Sequence, residues 1–197
     1  MGKLLISTLG LGGVSATVAG GFGAYSLFKE NPRTPFQQRI DTKKRVILEA
    51  LTAAHDGVWA EIVKEYKGDV EGIPKDGNIK EKLKSYCQRN KDSTSDKEFE
   101  QYKAYCTREN LITKLSTNSK SWNASKDVKH WKTSKDTYSS DGSGDLLIPK
   151  TGGTVAKGEV TEKNIMDHCE TISTKPFINN QDADYKRGEK WCLVANG

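Results

Sequence analysis

Cysteine and histidine have the widest chemical range of any side chains here, and the chain carries four Cys and three His in 197 residues. Cys87, Cys106, Cys169 and Cys192 stand 19, 63 and 23 positions apart. No Cys-x-x-Cys occurs, so neither a zinc knuckle nor a thioredoxin-type redox pair is supported. His168 and Cys169 are neighbours, a poor arrangement for chelating one metal, and no metal or cofactor is expected. His55 falls on or beside an apolar stripe and reads as a packed or surface histidine. An even cysteine count in a chain with little apolar material, behind an export-like segment, fits two disulfides. Of the three connectivities, spacing favours Cys87–Cys106 and Cys169–Cys192, each joining neighbouring elements through a short loop. Each bridge would add about 3 kcal/mol by restricting the unfolded chain. Four reduced thiols in a cytosolic domain are the competing expectation.

Other motifs carry less. No Ser/His/Asp or Cys/His constellation can be drawn from three scattered histidines, so no catalytic residue is named. An enzyme, if there is one, would be a hydrolase using Asp and Glu residues brought together by the fold. Gly142, Gly144, Gly152 and Gly153 make no phosphate loop, because no Gly-Lys-Ser/Thr follows them. Ile148-Pro149-Lys150-Thr151-Gly152 resembles a sorting pentapeptide but lacks the apolar stretch and basic tail such a signal needs. Asn123-Ala124-Ser125 fits the glycosylation pattern. Lysines are interleaved with Asp and Glu, so a pI of 8.9 gives a solvated surface and no nucleic-acid partner. Trp122, Trp131 and Tyr138 lie in a stretch too polar to bury them by helical periodicity, and with Lys neighbours they read as exposed interface anchors. The blander reading is that they patch a small core.

These residues have to be positioned by a chain of two unlike parts. Residues 1–28 contain one charged side chain, Lys3, and 15 hydrophobic residues. Residues 4–28 are long enough to cross a bilayer as a helix and are expected to be a membrane anchor, with a cleaved secretory signal as the alternative. Gly12, Ala16, Gly20 and Ala24 make a small-residue ladder through which two spanning helices could associate. The basic residues Lys29 to Arg45 lean towards a cytoplasmic C-terminal part. The cysteines lean towards the outside.

In the remaining 169 residues, Leu, Ile, Val and Phe number only 29. Thr34-Pro35-Phe36-Gln37 is a helix start with a capping box. Apolar residues from Ile40 through Val58, Trp59, Ile62 and Tyr66 continue at three- and four-residue steps to Gly68, predicting one long helix that packs against Tyr102 and Tyr105. Ile79, Leu83, Tyr86 and Cys87 predict a second helix, and Ser95-x-x-Glu98 opens a third carrying Phe99, Tyr102, Tyr105 and Cys106. Tyr86-Cys87-Gln88-Arg89 and Tyr105-Cys106-Thr107-Arg108 share an aromatic-Cys-x-Arg pattern. A fourth helix is expected from Thr161 to about Ser173, and a polar helical turn near Asp182 to Arg187. The fold class is mainly α: an N-terminal span, a helical subdomain over 29–138, a linker at 139–145 and a small helical subregion over 146–197.

The Gly-rich apolar start Met1-Gly2-Lys3-Leu4-Leu5, the run Trp59-x-x-Ile62-x-x-x-Tyr66, the aromatic-Cys pairs and the close Tyr185-Lys186-Arg187-x-Glu189-Lys190-Trp191-Cys192 resemble a large set of paralogous membrane-associated proteins of haemotropic mycoplasmas. The resemblance implies membrane association in a wall-less bacterium and exposure to a host. It supplies no enzymatic residues to carry over. The function expected is a membrane-anchored surface protein that binds host components, with a membrane-tethered hydrolase or a cytoplasm-facing scaffold as the alternatives.

Overall fold

The computed structural model describes residues 34–117 and 119–195. The expected span over residues 4–28, with Gly12, Ala16, Gly20 and Ala24, lies outside them. Among the described residues no helix is long and apolar enough to cross a membrane. The described chain is mainly helical, with three two-stranded antiparallel ladders and two disulfides.

The long helix expected from Pro35 to Lys67 is broken. A single turn, α1 (Phe36–Arg39), starts without a side-chain cap, and Gln37 donates to Asp92 at 2.7 Å instead of closing a capping box. Strand β1 (Arg45–Ile47) then pairs with β2 (Thr107–Glu109), Ile47 opposite Thr107. Arg45 fixes that register by donating to the Thr107 hydroxyl at 2.7 Å and to the Lys103 carbonyl at 3.2 Å. Between β1 and α2 (Asp56–Glu65) the loop is tied by the Glu49 N–H donating to His55 Nδ1 at 2.8 Å, and by the Trp59 indole donating to the Glu49 carbonyl at 2.9 Å. Three- and four-residue apolar spacing is satisfied here by a turn, a strand and a short helix sharing one core, because tertiary pairing overrides a pattern that periodicity alone reads as continuous.

Helices α3 (Ile79–Asn90) and α4 (Asp96–Cys106) follow at the expected places. The capping box at Ser95 does not form, since the Ser95 side chain makes no cap bond. The predicted packing does occur: the Phe36 ring lies 5.2 Å from Tyr102, and Tyr66 lies 5.2 Å from Tyr105. Phe36, Trp59, Ile62, Leu83, Tyr102 and Cys106 centre this first core.

A second core is built by α5 (Leu111–Leu115), β3 (Lys120–Trp122), a 3-10 turn (Val128–Trp131), α6 (Lys132–Asp141), α7 (Glu162–Ser173), α8 (Ala183–Trp191) and β6 (Leu193–Ala195), which pairs with β3. Helix α7 carries the complete capping box of this half, Thr161 with Asn164, and Asp182 caps α8. Helix α6 gave no periodic signal because Tyr138 is its one buried residue. Residues 139–145 are not a spacer. Ser139–Asp141 finish α6, the buried Gly142 donates to the Tyr138 carbonyl at 2.9 Å, and Gly144–Leu146 form a 3-10 turn. Leu146 and Leu147 pack partly on the core and Ile148 fully, ahead of the small β4 (Pro149–Lys150) and β5 (Gly153–Thr154) hairpin.

The two cores meet at Asn110, not near residue 140. Its side chain accepts the Thr113 N–H at 3.0 Å, capping α5, and donates to the Lys43 carbonyl at 2.8 Å. Beside it, Phe177 N–H donates to the Glu109 carbonyl at 2.8 Å and Leu111 N–H to that of Lys175 at 3.0 Å. Pro35–Gly197 is one compact unit.

Candidate functional site

Both expected bridges are present. Cys87 on α3 joins Cys106 at the end of α4 with 5.4 Å between Cα atoms, and Cys169 on α7 joins Cys192 just past α8 with 5.6 Å. All four cysteines are buried, so each bridge sits inside its core and clamps two helices together.

The aromatic residues expected at an interface are inside. Trp122, Trp131 and Tyr138 are 7%, 1% and 0% exposed. The Trp131 indole donates to the Ser125 carbonyl at 3.0 Å, and the Tyr138 hydroxyl donates to the Val155 carbonyl at 2.7 Å while accepting the Ile148 N–H at 3.0 Å. A polar sequence buries them because the partners come from distant loops, not from a periodic face. Asn123 is also buried, with its amide donating to the His130 carbonyl and its oxygen accepting from Ser125 N–H, so the Asn-Ala-Ser triplet offers no accessible glycosylation acceptor.

The histidines do not converge. His55 accepts the Glu49 N–H, His130 shares a hydrogen with the Ser125 hydroxyl at 2.8 Å, and His168 is buried on α7. Among the described residues no group of three or more His, Cys, Asp or Glu is placed to hold a metal.

Two clefts where titratable side chains gather are places where chemistry could be exercised. The first, about 470 Å³, lies between α3, α4 and the loop after α2, and is lined by Tyr86, Arg89, Glu98, Lys97 and Glu71 among others. The second, about 290 Å³, lies between α7, α8 and the loop after α6, where His168, Lys175, Asp184, Lys150 and Ile148 contribute. Tyr86 Oη and His168 Nε2 are buried side-chain polar atoms without a hydrogen-bond partner among the described residues. Such groups are uncommon, and each calls for a physical account.

Electrostatics differ between the clefts. Burial pushes the Tyr86 phenol up to about 12, so it stays protonated, with the Glu98 charge adding in the same direction. Burial drives His168 down to about 4, and the imidazole is neutral at physiological pH. Asp184, although burial acts to raise it, is held below the usual carboxylate range by Lys175 at 2.6 Å and by the Lys175 and Arg187 charges. Arg187 lies 3.0 Å from Asp184. Tyr86 lies in the aromatic-Cys-x-Arg pattern and His168 beside Cys169, but neither placing signals a buried polar atom, so these perturbed groups were not legible in the sequence.

No protein family, curated protein or solved structure matches the chain.

Proposed function

We propose that this is a membrane-tethered binding module displayed outside the cytoplasm, held by the apolar segment over residues 4–28 and recognising host components through its folded domain. The observation that supports the reading is the pair of buried disulfides, Cys87–Cys106 and Cys169–Cys192, in a domain with thin apolar material. Structural disulfides persist in oxidising surroundings and are rare where thiols are kept reduced. A small core supplies little stability by itself, and two covalent clamps offset that deficit without a larger apolar surface. The resemblance to membrane-associated proteins of haemotropic mycoplasmas agrees with display towards a host. Trp122, Trp131 and Tyr138 are no part of the binding surface in this reading, because they are inside.

The test is accessibility on intact cells. Non-reducing peptide mapping should recover both bridges, a thiol reagent that cannot cross membranes should label nothing until a reductant is added, and antibody should reach the domain without permeabilisation. Four free thiols, protected in intact cells and labelled only after lysis, would overturn the reading in favour of a cytoplasm-facing scaffold.

A further inference from the structure

The two halves of the described chain repeat each other in their main elements, the β4–β5 hairpin and the 3-10 turns of the second half excepted. Phe36 in α1 and Ile40 just past it, and Leu111 and Leu115 in α5, are buried at the same distances ahead of strands β1 and β3. Each of those strands pairs with the strand that begins directly after the second cysteine of a bridge, Ile47 opposite Thr107 and Trp122 opposite Leu193. The next residue then donates its N–H to that cysteine's carbonyl: Leu48 to Cys106 at 3.0 Å, Asn123 to Cys192 at 2.8 Å.

The middle of each half matches as closely. Trp59 and Trp131 both donate their indole N–H to a carbonyl in the loop after the first strand, at 2.9 and 3.0 Å. Seven residues on, Tyr66 and Tyr138 do the same work. Each hydroxyl accepts the N–H of a buried β-branched residue, Val70 at 3.3 Å and Ile148 at 3.0 Å, and donates to a later carbonyl, Ile73 at 2.8 Å and Val155 at 2.7 Å. Each ring also packs 5.2 Å from the residue preceding the second cysteine, Tyr105 or Trp191. The residue preceding the first cysteine is Tyr86 in one half and His168 in the other, the same two side chains whose buried polar atoms lack partners. An acid stands in the first turn of the closing helix at matching distance from its cysteine, Glu98 and Asp184.

We infer that the domain is a tandem duplication of one disulfide-stapled unit, and that the copies have diverged so that the cleft beside Tyr86 binds a small zwitterionic ligand while the cleft beside His168 has become structural. The divergence is in the charges. Around His168, Asp184 is taken by Lys175 and Arg187, and Lys150 by Glu159. Around Tyr86, the side chains of Glu71, Glu98, Arg89 and Lys97 make no hydrogen bond or ion pair among the described residues. Asp69 there is engaged by the Tyr105 hydroxyl at 2.5 Å. The unpaired groups are therefore two acids and two bases, beside the Asp69 carboxylate, whose charge the neutral Tyr105 hydroxyl does not compensate. A ligand of a single sign would meet like charges as well as opposite ones, whereas a molecule carrying both an ammonium and a carboxylate can satisfy both sets. Its polar atoms would also give the buried Tyr86 hydroxyl the partner that the protein withholds. Cleft volume is in the range of small-molecule sites. This inference does not depend on the side of the membrane the domain faces.

The test is a titration of the full chain in detergent micelles, with isotope labels on tyrosine and histidine rings, using glycylglycine as the probe and acetate and methylammonium as single-sign controls. Saturable shifts of the Tyr86 resonances with glycylglycine alone, and unmoved His168 resonances, are the expected result. Tyr86→Phe should weaken the response about tenfold, the loss of one hydrogen bond to a buried group, with peptide mapping confirming that Cys87–Cys106 still forms; Glu98→Gln should weaken it too. Silence of Tyr86, equal shifts of both rings, equal responses to the controls, or undiminished binding by Tyr86→Phe would each overturn the site. The duplication fails separately if an experimental backbone superposed on the residue pairs above does not bring α3 onto α7 and α4 onto α8.

Discussion

Arg108 grips both carboxylate oxygens of Glu65, at 2.6 and 2.8 Å, and with the same guanidinium donates to the Phe177 carbonyl at 3.1 Å and that of Ile178 at 3.4 Å. One side chain on β2 thus ties the first core to the segment leading into α8. Its side chain is 13% exposed, and that of Glu65 is 54% exposed. Arg108→Lys keeps the charge but cannot reproduce the planar fork, and should cost about 1–2 kcal/mol in chemical denaturation. Glu65→Gln, which removes only the solvent-screened half of the arrangement, should cost under about 1 kcal/mol. Equal losses would show that the carbonyl contacts contribute nothing.

The staples should act separately. Cys87→Ala with Cys106→Ala, or Cys169→Ala with Cys192→Ala, should each lower unfolding free energy by about 3 kcal/mol. In either double variant, peptide mapping should find the other bridge intact. Failure of the remaining two cysteines to pair with each other would contradict the independence of the two cores.

Much of this framework was legible in the chain, and the repeat was not. Cysteine spacing pointed to the correct bridges because each closes a short loop between consecutive helices. Helix α7 was legible because Ile165, Cys169 and Ile172 share one face. The aromatic-Cys-x-Arg similarity does not mark the repeat, since Cys87 and Cys106 are partners within one unit. Units align instead through Tyr86 with His168 and Tyr105 with Trp191, pairs that share geometry without sharing residue type. The loop after each anchoring tyrosine also differs in length, Tyr66 to α3 being shorter than Tyr138 to α7, so no constant period runs through the sequence. The clefts stayed invisible for the same reason: hydrogen bonds from Tyr66 and Tyr138 to the backbone of the loops that follow them decide where those loops lie.

The same substitution should act with opposite sign at two tyrosines. Tyr138→Phe strips partners from the buried Val155 carbonyl and Ile148 N–H, and should destabilise by about 2 kcal/mol. Tyr86→Phe removes a buried hydroxyl that has no partner, and should stabilise by about 1 kcal/mol. Thermal unfolding of the two variants beside the parent distinguishes them. Destabilisation by Tyr86→Phe would mean that its hydroxyl is satisfied within the protein.

Acid should weaken the fold through His168. Its folded-state pKa, about 4, is depressed below the ordinary 6.5 by burial, so the unfolded chain takes up a proton first as pH falls. The stability it contributes is therefore complete above about pH 6.5 and is lost on the way down to about 4, amounting to about 2 kcal/mol by pH 5. The groups facing it are Asp184, which is held below the usual carboxylate range, Lys175 and Arg187. His168→Phe should flatten the difference between pH 8 and pH 5, measured by urea denaturation at each pH. An unchanged pH profile in that variant would assign the acid sensitivity elsewhere.

The closing strand of each half comes directly after its second cysteine, and this sets an order of assembly. A chain that emerges from its N-terminal side can complete β1 against β2 and clamp Cys87 to Cys106 once Glu109 is out, while β3 still waits for Leu193–Ala195. During that interval Trp122, Trp131 and Tyr138 have no finished core to enter. The vulnerable species in biogenesis is therefore a half-made molecule, oxidised and folded at one end and sticky at the other. Slow synthesis or early termination after Asn110 should expose it to proteases and chaperones far more than the mature protein ever is.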